Sequence, residues 1–227
     1  MCSNNEISLA IKSGDVVKLN SLIAETADIK TVIYNDGNTA LHIAAETGNI
    51  EVCTALIAAG SNINAINRFE ATPLHAASYR GHEQVCALLL ASGALIDSLD
   101  IEQKTPLMYA AYGAHVTTAR LLIDHNANYQ HLTEDLKNLL HEAALSGSSE
   151  MVQYFIDLKV DINGISRFDG SPLHMSVIAK SIDTCRTLLA NGANPSITND
   201  KGDTPLMLAR KRYGTGNVIE FEKLLNT

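Results

Sequence analysis

Thr72-Pro73-Leu74-His75-Ala76-Ala77-Ser78-Tyr79-Arg80-Gly81-His82 is the stretch on which the reading of this chain turns. It recurs. Thr39-Ala40-Leu41-His42 stands 33 residues earlier, and Thr105-Pro106-Leu107-Met108 stands 33 later. Asn138-Leu139-Leu140-His141, Ser171-Pro172-Leu173-His174 and Thr204-Pro205-Leu206-Met207 continue at the same interval, so six copies run without an insertion between their starts. Self-similarity at a fixed period of about 20 to 50 residues marks a repeat architecture. One such unit cannot bury its own apolar face and must stack on its neighbours.

The residues within one copy specify a pair of short helices. Thr72 suits a helix N-cap, because its hydroxyl can accept from a backbone N–H of the first turn. Pro73 then falls at the first helical position, where its missing N–H costs nothing. Leu74 and Ala77 share one face and are small or apolar, so a neighbouring helix can approach closely. Gly81 ends this helix. Val85, Cys86, Leu88 and Leu89 form the apolar stripe of a second helix, which Gly93 ends.

T-P-L-H at a period of 33 resembles the ankyrin-repeat family. The resemblance implies an all-α ankyrin-repeat solenoid of seven helix-pair units linked by β-hairpin loops. It is expected to form a single domain over 1–227, with an N-terminal cap repeat at 4–33 and a C-terminal cap repeat at 198–227. Full repeats are expected at 34–66, 67–99, 100–132, 133–165 and 166–197. The resemblance also implies that His75 and its equivalents tie hairpin to hairpin. The first repeat lacks the motif, and its Gly14 precedes Gly48 by 34 residues, so its linking loop carries one extra residue. Met108 stands where His is usual, Asn126 and Lys159 where Gly follows the second helix, and Lys180 where Gly ends the first. Lysine in a left-handed conformation costs about 1–2 kcal/mol. Arg210 to Gly216 form a longer and more basic join in the last repeat.

Composition narrows the function. A net charge of -8 argues against a nucleic-acid partner, which a basic face would announce. Met1 to Ala10 has neither a basic start nor an apolar core, so no leader is expected there. No apolar run is long enough to span a bilayer, so no membrane insertion is expected. Of four cysteines, Cys53, Cys86 and Cys185 share one repeat position in the buried stripe. Stacked helices stand roughly 8–10 Å apart, beyond the reach of about 7 Å that a disulfide allows. They read as core thiols of a protein in a reducing, cytoplasmic compartment. No C-x-x-C pair is present, so neither a zinc site nor any other metal or cofactor is expected.

The eight histidines do not converge. His42, His75, His141 and His174 occupy one repeat position and read as structural hydrogen-bonding groups, while His82, His115, His125 and His131 read as surface or helix-start residues. No nucleophile elbow, phosphate loop, dinucleotide fingerprint or H-E-x-x-H occurs, so the chain is not expected to be an enzyme. Arg210, Lys211 and Arg212 read as a solvated terminal turn in preference to a basic docking patch or a nuclear-import signal. Asn64 and Asn163 stand at hairpin starts. The resemblance implies that such asparagines can be hydroxylated in animal cells, and turn hydrogen bonding is the simpler reading.

The informative positions are those the repeat does not dictate. By resemblance, hairpin tips and the solvent side of each first helix line a concave groove and bind partners. These positions include Asn35, Asp36 and Glu46, and above all Arg68, Phe69, Tyr79, Arg80, Ile101, Tyr112, Arg167 and Phe168. Each of the two tip phenylalanines follows an arginine, and aromatic and Arg residues on a surface are typical binding anchors. The expected function is a monomeric protein–protein interaction module, acting as scaffold, adaptor or inhibitor. Two narrower alternatives stand beside it. One is a proteasome-assembly chaperone resembling gankyrin, which has similar length and repeat number. The other is a microbial effector that acts on a host protein in the host cytosol.

Overall fold

The computed structural model describes residues 4–25, 34 and 36–225. The end of the expected first repeat, 26–33 with its extra loop residue, and Asn35 of the expected surface lie outside the described residues. Among the described residues there are fourteen helices, arranged as seven consecutive pairs, and no strand. The chain divides into two compact units, Met1–Ala127 and Asn128–Thr227.

The first unit holds α1 (Asn4–Ser13), α2 (Val16–Glu25), α3 (Ala40–Thr47), α4 (Ile50–Ala58), α5 (Pro73–Arg80), α6 (Glu83–Ala91), α7 (Pro106–Tyr112) and α8 (Val116–Asp124). The second holds α9 (Leu139–Ser146), α10 (Ser149–Asp157), α11 (Pro172–Ile178), α12 (Ile182–Ala190), α13 (Pro205–Asn217) and α14 (Ile219–Leu225). In the first unit α1, α3, α5 and α7 pack as one row and α2, α4, α6 and α8 as another. In the second, α9, α11 and α13 form one row and α10, α12 and α14 the other. The rows meet over the expected stripes, except that Leu88 turns partly out of its stripe and is only half-buried. Leu74, Ala77, Val85, Cys86 and Leu89 are fully buried in the first unit, and Leu140, Phe155, Leu173, Cys185 and Leu188 in the second. Gly214 breaks α13 with φ 66° and ψ -177°, which bends the basic join of the last repeat back toward α14. There Arg210 pairs with Glu222 at 2.8 Å and Lys211 with Asp203 at 2.5 Å, so the turn engages its own carboxylates.

The linking loops are hairpins reduced to their tips. In each, the first residue's N–H reaches the carbonyl four residues on, as Asn67 to Ala71 at 3.1 Å, Asp100 to Lys104 at 3.1 Å and Ser166 to Gly170 at 2.9 Å. The last of these registers as an isolated antiparallel β-bridge. Tips are joined to their neighbours by further backbone bonds: Arg68 N–H donates to Asp36 O at 3.0 Å, Ile101 N–H to Phe69 O at 2.9 Å and Arg167 N–H to Asp135 O at 2.8 Å.

Histidine supplies the second set of ties. The Nε2 of His42, His75, His141 and His174 stands 2.9–3.1 Å from the carbonyl of Ala71, Lys104, Gly170 and Asp203 respectively. A carbonyl only accepts, so Nε2 carries the proton and Nδ1 of the neutral ring is bare. That bare nitrogen accepts from the N-cap backbone, as Thr72 N–H does to His75 Nδ1 at 3.0 Å, which closes a capping box. The Thr72 hydroxyl lies 2.9 Å from the same nitrogen. Thr105 and Thr204, which face Met108 and Met207, accept instead from the methionine N–H at 3.3 Å, the bond expected of an N-cap hydroxyl. His82 and His115 do start helices, as expected, yet also reach back one repeat: their Nε2 atoms donate to Glu46 O at 2.9 Å and Tyr79 O at 3.0 Å. Asn64 and Asn163 are likewise inter-repeat bridges. Asn64 donates to Gly93 O and accepts from Leu95 N–H, and Asn163 does the same with Gly192 and Asn194.

Lys159 adopts φ +63°, as do its glycine equivalents Gly60 at +84° and Gly93 at +93°. The left-handed backbone is thus forced on a residue with a Cβ. Lys159→Gly is expected to raise stability by about 1 kcal/mol, less the entropy that glycine adds to the unfolded chain. A urea midpoint at or below that of the parent would refute it. Ala114, not the preceding Gly113, takes the left-handed turn after α7, with φ +60° against -74°. Bulky Leu136 sits at +62° on a tip. The repeat's geometry outweighs local preference at all three positions.

Cys53, Cys86 and Cys185 are free and fully buried. Burial pushes their thiols up to about 12, 11 and 11. All three are expected to resist a thiol reagent until the protein unfolds. Rapid labelling of all three in the native state would contradict the packing described.

Candidate functional site

The side chains that the repeat does not use collect on the first unit. Phe69 sits on a tip whose turn is fixed by Asn67: the Asn67 carbonyl oxygen Oδ1 accepts from Phe69 N–H at 2.9 Å and Ala71 N–H at 3.1 Å. The ring is 56% exposed. Ile101 stands on the next tip, held open in the same way by Asp100, whose Oδ1 accepts from Glu102 N–H and Lys104 N–H at 2.9 and 2.8 Å. Tyr79 closes α5 and Tyr112 closes α7, one repeat apart, and the stacking of those helices places their rings face to face. The centroids are 6.0 Å apart at an interplanar angle of 15°.

A third tyrosine completes the cluster. Tyr109 meets Tyr79 edge-on at 6.1 Å and His75 edge-on at 5.2 Å. Its hydroxyl donates to Asp100 Oδ2 at 2.7 Å, so a carboxylate only 2% exposed anchors the ring. Sequence reasoning missed Tyr109. The signal was available, since Tyr109 occupies the repeat position of Ala76, where the neighbouring copy needs no ring.

Phe69, Tyr79, Ile101, Met108, Tyr109 and Tyr112 line one pocket of about 350 Å³, with Asp100, Glu102 and Lys104 on its rim. Phe69, Tyr79 and Tyr109 also border a second pocket of about 340 Å³, reaching across His42, Glu46 and Asn67. Phe69 further borders a third, of about 480 Å³, together with Ser8, Lys12, Tyr34, Asp36 and Arg68. The three adjoin along one face from α1 to α7, with Phe69 common to all.

Cations cap the rings. The Arg80 guanidinium lies 5.3 Å from the Tyr79 ring centroid and 2.6 Å from Glu46. The Lys104 ammonium lies 6.0 Å from the Tyr112 centroid and 3.0 Å from Glu102. Beneath the face, burial pushes the His75 imidazole down to about 4, and His42 in the same direction. These rings are neutral and hydrogen-bonded at both nitrogens, so they brace the face.

Of the eight positions singled out from sequence, six therefore lie together here: Arg68, Phe69, Tyr79, Arg80, Ile101 and Tyr112. Arg167 and Phe168 belong to the second unit, on the tip between α10 and α11. Both are exposed there, Phe168 at 56%. At the base of that tip Lys137 pairs with Asp169 at 2.6 Å.

Comparison with known proteins fits this architecture. The family model of ankyrin repeats, in three copies, matches residues 7–100, 95–166 and 140–225. An ankyrin repeat protein of fowlpox virus is 38% identical over 63 residues, which are 28% of this chain and 15% of the viral protein. Human protein phosphatase 1 regulatory subunit 27 is 38% identical over 74 residues, 33% of this chain and 48% of that protein. Neurogenic locus notch homolog protein 1 of Xenopus tropicalis is 36% identical over 59 residues, 26% of this chain and 2% of that protein. The chain thus aligns with less than half the length of each of these relatives. The crystal structure of the human ASB11 ankyrin repeat domain superposes with a TM-score of 0.79 at 23% identity, covering 96% of this chain and 97% of that one. At that identity the likeness is one of fold.

Proposed function

Because this chain belongs to the ankyrin-repeat family, whose repeats are protein–protein interaction modules on a non-catalytic scaffold, we propose that it binds another protein on the face of its first unit that carries Phe69, Tyr79 and Tyr112. It acts there as scaffold, adaptor or inhibitor, and performs no reaction on its partner. One observation carries the reading: three pockets adjoin on a single face, bordered by large rings that are 38–56% exposed. A cluster of exposed rings of this size is more than a folded surface ordinarily displays, and aromatic residues with flanking arginines are the side chains that most often anchor interfaces. Tyrosine and phenylalanine also lose little rotamer freedom when bound. The similarity to a phosphatase regulatory subunit over a third of the chain supports a role exerted through binding.

The test is site-specific photo-crosslinking in the native cell. A benzophenone side chain at Ile101, on the face, is expected to capture a discrete protein. The same group at Gln84, exposed on α6 away from the tips, is expected to capture none. Capture from Gln84 alone would place recognition on the other side and overturn the proposal.

A further inference from the structure

We propose that the segment seated on this face presents a bulky apolar side chain to the pocket behind Phe69 and a carboxylate to Arg68 and Arg80. The inference rests on the reading of the face as a protein-binding site and adds the chemistry of what binds.

The argument begins with what the rings exclude. An open cluster of tyrosines would ordinarily suit a cationic guest, drawn to the ring faces. Here the chain's own cations hold those positions, Arg80 over Tyr79 and Lys104 over Tyr112. An incoming lysine or arginine would meet like charge at the place where the rings attract it. Nor can a guest ring slip between Tyr79 and Tyr112, which already stack on each other. The remaining entry runs past the Phe69 edge, over Ile101 and Met108, into the pocket of about 350 Å³. Its walls are mostly apolar, with Asp100, Glu102 and Lys104 among them, so an apolar side chain is the guest that fits best there.

The cations then choose the flank. Glu46 occupies only part of the donor capacity of Arg80. A guanidinium carries five N–H groups in a fork, and the bond recorded from Arg80 to Glu46 is made through Nη2. This pair is solvated, with the Arg80 and Glu46 side chains 50% and 44% exposed. Solvated pairs of this kind hold weakly and leave the cation able to take a second carboxylate. Arg68, exposed on the tip beside Phe69, lines the adjoining pocket and adds a second cation. The alignment of three pockets with one shared border favours an extended or helical peptide over a compact small molecule.

The test uses the full chain and a random twelve-residue peptide library displayed on phage. Selected peptides are expected to carry Leu, Phe, Ile or Met with Asp or Glu within three residues. Resynthesised, the best peptide should bind at least tenfold more weakly to Arg68→Glu with Arg80→Glu, and to Phe69→Ala. Its affinity should also fall as salt rises. A urea midpoint equal to the parent's within the scatter of replicate curves shows that the charge reversals act on binding. Selection of basic peptides, no selection, or affinity indifferent to charge reversal would each overturn the proposal. If that happens while Ile101 still captures the native partner, only the partner chemistry fails. If Ile101 captures nothing, the reading of the face fails with it.

Discussion

Taking the protein from pH 7 to pH 4 is expected to cost each of its two units about 3 kcal/mol of stability or more. The origin is His75 in the first unit and His141 in the second, each pushed down from 6.5 to about 4, chiefly by burial. The sign follows from which state can take the proton. Above pH 6.5 the ring is neutral folded and unfolded, and pH is without effect. Below it the unfolded ring charges while the buried one cannot, because Nδ1 already accepts from the N-cap backbone and Nε2 already donates to a carbonyl. The unfolded state therefore gains about 1.4 kcal/mol per pH unit until the folded ring also titrates near pH 4. His42 and His174 are lowered too, again mainly by burial, and add in the same direction. Against a total stability of about 5–15 kcal/mol for a typical domain, the loss is large. Urea unfolding at pH 7 and pH 4.5 measures it, with His75→Met as the control. Methionine stands naturally at this position in Met108 and Met207, so the variant should fold. It should lose stability at pH 7 but show a flatter pH dependence in the first unit. A parent whose stability does not change between pH 7 and 4.5 would contradict the assignment.

The second large effect is on binding. Replacing Phe69 by alanine is expected to weaken the native partner by about 2 kcal/mol or more, a loss of roughly thirtyfold. Phe69 is more than half exposed and borders all three pockets, so its removal strips the face without opening the core. Folding should change by only a few tenths of a kcal/mol. Tyr79→Ala and Tyr112→Ala should weaken binding by a comparable amount. Each should also cost about 0.5–1.5 kcal/mol in folding, because each ring loses its stacked partner. That split separates the tip anchor from the paired helix rings.

Much of the fold was legible because a repeat states its constraints several times over. The spacing of Thr-Pro-Leu-His sets the helix starts, and the shared position of Cys53, Cys86 and Cys185 marks a buried stripe that the structure fills as expected. The unusual residues were legible too. Lys159 and Lys180 stand at glycine positions, and both adopt the left-handed backbone. What escaped the sequence depends on which side chains meet across repeats. His82 and His115 look like ordinary helix starts, and only the stacking shows that they tie back to Glu46 and Tyr79. Ala114 takes the left-handed turn although glycine is the residue before it. The six residues chosen on the first unit do converge, because tip and helix-end positions were identifiable from periodicity. Tyr109 escaped because its contacts with His75, Tyr79 and Asp100 arise only when the repeats stack.

The most direct measurement pairs two readings on one variant. With the protein captured from Ile101 in hand, titration calorimetry of the parent and of Phe69→Ala gives the change in affinity, and urea unfolding of the same preparations gives the change in stability. The account predicts an affinity lower by roughly thirtyfold with an unfolding midpoint that does not move. An unchanged affinity, or a loss of affinity accompanied by unfolding, would make the exposed rings part of the scaffold and contradict the assignment of this face to recognition.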